Sequence, residues 1–117
     1  MNVSTPEMTA FDLVRYVKSA GYLSHVATIL SELQEKLDLA RLTQLLETEN
    51  LELPYLQRLG YLLEFVKAKA NILALLKSWL KQHGARFIPL RAGKTYKNAA
   101  KNKDWHLYIN EQIESDI

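Results

Sequence analysis

The sequence contains no cysteine, which excludes a disulfide scaffold, a thiolate zinc site and a cysteine nucleophile. It also has only four glycines, and no two of them form a G-x-G pattern. The stretch "RAGKT", residues 91–95, ends like a phosphate-binding loop, but the earlier glycine that such a loop needs is missing. The sequence therefore offers no nucleotide-binding loop.

Long hydrophobic runs are absent as well. The longest apolar stretch, residues 72–80, is interrupted by Lys77 and Ser78 and is too short to cross a bilayer. The first residues are polar and acidic, unlike a secretory signal. Apolar residues make up 48% of the chain and charged residues 24%, which is the balance of a folded globular protein. We expect a soluble, cytoplasmic protein without a membrane partner, folded as a single domain over residues 1–117.

No pattern of catalytic or metal-binding residues is present. His25, His83 and His106 are scattered without the spacing of metal ligands. Paired acidic residues fall on polar helix faces or in a loop, where general acid–base catalysis lacks the desolvated cleft it needs. We therefore expect a protein that is not an enzyme and that uses no metal and no cofactor.

Most of the chain carries the apolar spacing of helices. Apolar side chains recur every three to four residues in five segments, which predicts a helical region over residues 6–83. Thr5 and Pro6 are typical of a helix start, and Ser4 with Glu7 fits a capping box. Asp38 can cap the third helix, and Pro54 fits the first turn of the fourth.

The predicted core lies on the fourth and fifth helices. The fifth, over about residues 70–82, is apolar on nearly every side, so we expect it to be the most buried. Leu59, Leu63, Leu76 and Trp79 should be among the most buried side chains.

The period changes after residue 85. The segments "RFIPL" and "WHLYIN" are rich in aromatic and β-branched residues and alternate at period two, which predicts two short strands. Pro89 confines the first strand to a sheet edge. A lone two-stranded ribbon is marginal in water, so it must lie on the helices. The predicted fold class is α+β, mostly α: about five helices and a small C-terminal antiparallel β-hairpin within residues 86–110.

Charge is distributed unevenly along the chain. Residues 1–53 hold four basic and eight acidic side chains, net −4, whereas residues 54–117 hold eleven and five, net +6. Between residues 86 and 103 there are six basic residues and no acidic one. Such a segment attracts polyanions or an acidic partner, or is simply a solvated loop. Its candidate phosphate contacts are Arg91, Lys94, Lys97, Lys101 and Lys103, with Tyr96 placed to stack on a base.

Three motifs in order, "VSTPEMTAFDLVRY", "QRLGYLLE" and "FIPL" followed by "KDWHLYIN", resemble the C-terminal domain of AbiEi-type antitoxins of bacterial type IV toxin–antitoxin systems. The resemblance covers nearly the whole chain. It implies an antitoxin role in abortive infection and phage defence. The opponent would be an AbiEii-type, nucleotidyltransferase-like toxin, counteracted without a stable complex.

In that family a DNA-binding winged-helix domain precedes this one, so the resemblance implies that the helix start at residues 4–7 is an interior one. Whether such a domain is absent by nature stays open. None of the predicted helices combines an exposed basic face with base-reading residues. This chain alone is therefore expected not to recognise promoter DNA.

Residues of "QRLGYLLE" have distinct expected roles. Leu59 should be core, and Gly60 should permit the close approach of a neighbouring helix or strand. Gln57, Arg58 and Tyr61 form a second candidate interaction surface. Two other functions stay open: RNA binding through the basic segment, and a structural domain left from a transcriptional regulator.

Overall fold

A computed structural model describes residues 5–16 and 22–113. In this part of the chain five α-helices precede a small sheet, so the predicted fold class, α+β and mostly α, is confirmed. A short 3₁₀ turn, Gln34–Lys36, follows the second helix. The helices are α1 Pro6–Arg15, α2 Tyr22–Leu33, α3 Leu39–Thr48, α4 Leu53–Phe65 and α5 Ala70–Gln82; the strands are β1 Ile88–Pro89, β2 Ala100–Asn102 and β3 Leu107–Ile109.

Three helix starts follow local signals in the sequence. The Thr5 hydroxyl accepts a hydrogen bond from the N–H of Met8 at 3.2 Å, as a helix cap does. The Asp38 carboxylate accepts from the N–H of Arg41 at 3.0 Å, and Pro54 lies in the first turn of α4. These starts are confirmed, whereas Ser4 of the expected capping box lies outside the described residues.

Glu7 joins two helices. Its carboxylate is buried and accepts hydrogen bonds from the N–H of Asp38 at 2.7 Å and from Nε of Arg41 at 3.0 Å. The bond to Glu7 raises the pKa of the Arg41 guanidinium. Glu7 thereby fixes the first turn of α1 against the start of α3, and charge-assisted bonds of this kind are stronger than neutral ones.

The apolar core is built chiefly on α4, which contributes four leucines that are at most 2% exposed. Helices α1, α2 and α5 pack against it. The expected burial of Leu59, Leu63 and Leu76 is confirmed. The four leucines are Leu56, Leu59, Leu62 and Leu63.

Helix α5 is less buried than predicted. It buries one stripe, Ile72, Leu76 and Leu80, and its other faces reach the surface. The predicted deep burial of Trp79 is wrong. The Trp79 ring is half-buried and stacks on His83 at 4.2 Å between ring centroids, because it lies off the stripe that packs on the core.

The sheet differs in detail from the predicted hairpin. Its order is β1–β3–β2, and β3 runs parallel to β1 and antiparallel to β2. An antiparallel hairpin is present, but its first strand is β2, which comes from the lysine-rich link. The "RFIPL" segment, which contains β1, pairs parallel to β3 instead. The link between β1 and β3 includes β2, which runs in the opposite direction, so that β3 again runs in the direction of β1. We call residues 86–110, with these three strands, the β module.

In the described part of the chain, no helix has both the length and the apolar content needed to cross a membrane.

Candidate interaction surface

The structure places Gln57 inside the protein rather than on its surface. The side chain is buried, and its amide Nε2 donates to the backbone carbonyls of Arg86 at 2.8 Å, Trp105 at 3.0 Å and His106 at 3.0 Å. These acceptors belong to the two ends of the β module. Gln57 therefore holds the β module on α4.

Arg58 forms hydrogen bonds with strand β1. Its guanidinium donates from Nε and Nη2 to the carbonyl of Pro89, at 3.1 and 3.0 Å, and lies 6.0 Å from the ring centroid of Tyr55. Burial lowers the pKa of Arg58, although an arginine stays charged at neutral pH. The side chain thus fixes β1 to α4, while the buried Gln57 leaves almost no surface for a partner.

Gly60 allows the ring of Trp105 to lie directly on α4. A Cβ at Gly60 would overlap Cζ3 and Cε3 of that ring. The ring is fully buried, and its Nε1 donates to Oε1 of Glu64 at 3.1 Å, while Nζ of Lys77 bonds the other carboxylate oxygen at 3.2 Å. The close approach expected at Gly60 is confirmed, and the neighbour is Trp105, which lies two residues before the start of β3.

Gly60→Ala is expected to lower the free energy of unfolding by about 1–3 kcal/mol, the usual cost of overpacking, although alanine favours a helix over glycine by about 1 kcal/mol. The Trp105 ring cannot move aside without breaking its bond to Glu64. Urea unfolding followed by circular dichroism measures the change.

A double-mutant cycle supplies the control. In a Trp105→Leu background the same Gly60→Ala change should be neutral or stabilising. Gly93→Ala, where no atom lies within 4 Å of the new Cβ, should cost the same in both backgrounds. Equal costs of Gly60→Ala in the two backgrounds would contradict the assigned contact.

Two members of the basic segment form ion pairs with an acidic residue of the same chain. Nη1 of Arg91 lies 2.7 Å from Oε1 of Glu111, and Nζ of Lys94 lies 3.9 Å from the same oxygen. The Asn110 side chain accepts from the N–H of Arg91 and donates to the carbonyls of Arg91 and Lys94. Glu111 therefore neutralises part of the positive charge that the sequence places here.

The other three lysines, Lys97, Lys101 and Lys103, are exposed. Lys101 lies opposite Tyr108 in the β2–β3 pairing, which puts both side chains on the same face of the sheet. Its Nζ lies 5.7 Å from the ring centroid of Tyr108 and 5.8 Å from that of Phe87. At these distances the ammonium is attracted to both rings.

The outer side of the sheet carries a cluster that we call the aromatic–lysine face: Phe87, Tyr96, Lys101, His106 and Tyr108. The rings of Tyr96 and Tyr108 stack at 4.7 Å with 20° between their planes. Phe87 lies 5.7 Å from Tyr108 and meets His106 edge-on at 5.0 Å. Phe87 is 37% and Tyr96 47% exposed. The sequence singled out Tyr96 alone, although the alternation in "WHLYIN" already placed His106 and Tyr108 on one side.

Tyr61 belongs to a different place, a groove of about 580 Å³ between α4 and the loop before β2. Lys94, Lys97 and Phe65 line the same groove. Burial is the larger cause of a raised pKa of the Tyr61 hydroxyl, and the negative charge of the nearby Glu64 raises this pKa further. The structure therefore brings Tyr61 together with two of the candidate lysines and separates it from the contacts of Gln57 and Arg58.

Within residues 5–16 and 22–113, no three histidine, aspartate or glutamate side chains are grouped as metal ligands would be. His83 stacks on Trp79, and His106 contacts Phe87, which lies at the start of the β module.

Comparison with protein families gives a match that covers more than half of the chain, 65 of its 117 residues. A family model described as the AbiEi antitoxin C-terminal domain matches residues 1–65. The matched part runs through α4 and includes the "QRLGYLLE" motif whose side chains hold the β module. Comparisons with curated proteins and with solved structures gave no match. Helix α5 and the β module lie beyond the matched residues.

Proposed function

The chain belongs to the AbiEi antitoxin C-terminal domain family, and from this premise we propose that it is a non-enzymatic antitoxin acting against a nucleotidyltransferase-like toxin of the AbiEii type. The protein would work in the bacterial cytoplasm as part of a type IV system that defends against phage by abortive infection. It would counteract the toxin without forming a stable complex with it.

The observation that carries this proposal is the family match over α1 to α4. The contacts of α4 add physical support, since the motif residues Gln57, Arg58 and Gly60 hold the β module in place. These residues would thus act in the antitoxin by building its surface, and the residues that meet other molecules would lie elsewhere. The exposed lysines and rings of the β module are the strongest candidates.

Co-expression in a bacterial host tests the proposal. We expect induction of a cognate AbiEii-type nucleotidyltransferase toxin to arrest growth, and co-expression of the chain to restore colony counts to the uninduced level. An empty vector serves as the negative control, and immunoblotting confirms that the chain is present. A folded, abundant chain that leaves growth arrested would contradict the antitoxin role.

The absence of a stable complex is tested separately by mixing the two purified proteins. We expect them to elute at their individual positions in size-exclusion chromatography. Co-elution, together with rescue of growth, would contradict only the type IV mode of action.

A further inference from the structure

We propose that the aromatic–lysine face binds single-stranded RNA, with a base stacked on Tyr96 and phosphates contacted by Lys97, Lys101 and Lys103. This inference goes beyond the antitoxin function and does not depend on it, because binding is measured on the purified chain alone. It also assigns a role to the part of the chain outside the family match.

The rings provide a surface on which a base can stack. Tyr108 covers one face of the Tyr96 ring at 4.7 Å, yet Tyr96 keeps 47% of its surface exposed. Tyr108 is itself held by β3, which pairs with a strand on each side. Tyr96 is therefore an exposed ring with a rigid backing, which is the arrangement that single-strand binding proteins use to stack bases.

The charges around the rings are positive. Glu111 pairs with Arg91 and Lys94, and Asp104 lies 3.9 Å from Lys77. Lys97 and Lys103 flank the face in sequence, and the ammonium of Lys101 lies over its rings. One exposed cation over stacked rings, with two further exposed lysines close to Tyr96 and Lys101 in the sequence, matches the alternating bases and phosphates of a nucleic acid strand.

The combination favours single-stranded RNA over an acidic protein surface. Carboxylates would satisfy the lysines but would leave the exposed faces of Tyr96 and Phe87 without planar partners. In a duplex the base faces are covered by neighbouring bases, whereas RNA loops and ends present unstacked bases that aromatic side chains can contact.

Fluorescence anisotropy with a labelled single-stranded RNA of about 12 nucleotides and mixed sequence measures the binding. Tyr96→Ala is expected to weaken affinity about tenfold or more, because a stacked base is lost. Tyr96→Phe keeps the ring and should bind like the wild type. Tyr16→Ala, which removes a 62% exposed tyrosine at the C-terminal cap of α1, is the matched control and should leave binding unchanged.

The salt dependence tests the phosphate contacts. Three contacts to a single strand give a slope of log affinity against log salt near −2, at about 0.7 per phosphate. Lys97→Glu with Lys103→Glu should weaken binding to all sequences alike and bring the slope to about −0.7 or flatter. Lys36→Glu with Lys69→Glu makes the same change in net charge at lysines outside the face, and its slope should stay near −2.

Circular dichroism on every variant confirms that the fold is kept. The proposal is overturned if Tyr96→Ala binds as tightly as Tyr96→Phe, or if a duplex of the same sequence binds as well as the single strand. It is also overturned if polyglutamate competes as effectively as unlabelled RNA, since the occupant would then be an acidic protein surface. Growth rescue without RNA binding would refute this inference and leave the antitoxin function standing.

Discussion

Replacing Trp105 with alanine is expected to lower the free energy of unfolding by about 3–5 kcal/mol, the range for removing a fully buried large aromatic side chain. The ring is 0% exposed, lies on Gly60 and donates its Nε1–H to Glu64. The substitution removes the packing and leaves the hydrogen-bond acceptor without its donor. Urea unfolding, followed by circular dichroism, measures the loss.

The second tryptophan provides the matched control. Trp79 is half-buried and stacks on His83 at the end of α5, so Trp79→Ala should cost less than about 2 kcal/mol. Equal losses at the two positions would show that the β module is not anchored by Trp105. A loss at Trp79 larger than that at Trp105 would show that the Trp79 face of α5, and not the face with Leu76, packs on the core.

Leu63→Ala is expected to cost about 2–5 kcal/mol, because it opens a cavity where α4 meets the other helices. Leu63 is 1% exposed and belongs to the leucine cluster of α4. The same unfolding measurement applies, and Leu39→Ala is the matched control. Leu39 lies at the start of α3 with 38% of its surface exposed, so its truncation should change stability by about 0.5 kcal/mol or less. A loss below about 0.5 kcal/mol at Leu63 would contradict its assignment to the core.

The helices could be predicted from sequence because their starts are encoded locally. Thr5, Asp38 and Pro54 each act within one turn of their own position, so a short window contains all that is needed. Helix α5 occupies the predicted residues because its apolar periodicity is also local, although its N-cap residue Lys69 makes no capping side-chain hydrogen bond. The local sequence could not predict which face of α5 is buried, because apolar residues occur on nearly every side of the helix. Packing on α4 and α3 selected the face with Leu76 and left Trp79 near the surface.

The sheet could be predicted only in part. The β3 segment alternates clearly, but β2 consists of Ala100, Lys101 and Asn102, none of which favours a strand. Its pairing comes from the tertiary structure. The parallel direction of β1 is likewise fixed by contacts from Gln57 and Arg58, about 30 or more residues away along the chain.

The candidate interaction surface could also be predicted only in part from the sequence. The excess of basic residues is visible in the sequence, but its partial neutralisation is not, because Glu111 lies 20 residues from Arg91 along the chain. Gln57 looked available for a partner because a polar residue on a helix is usually exposed. Three backbone carbonyls of the β module keep it inside.

The contacts that hold the β module also set an order of folding. The side-chain bonds from α4 to Arg86, Trp105 and His106 span 29 to 49 residues, whereas helix bonds span four. Closing such long loops costs chain entropy before any contact compensates for it, so we expect the helices to assemble first and the β module to dock last. The aromatic–lysine face then exists only in a completely folded chain. A local opening that frees Trp105 would dismantle it while the helices stay intact, so the presence of this face is also an indicator of complete folding.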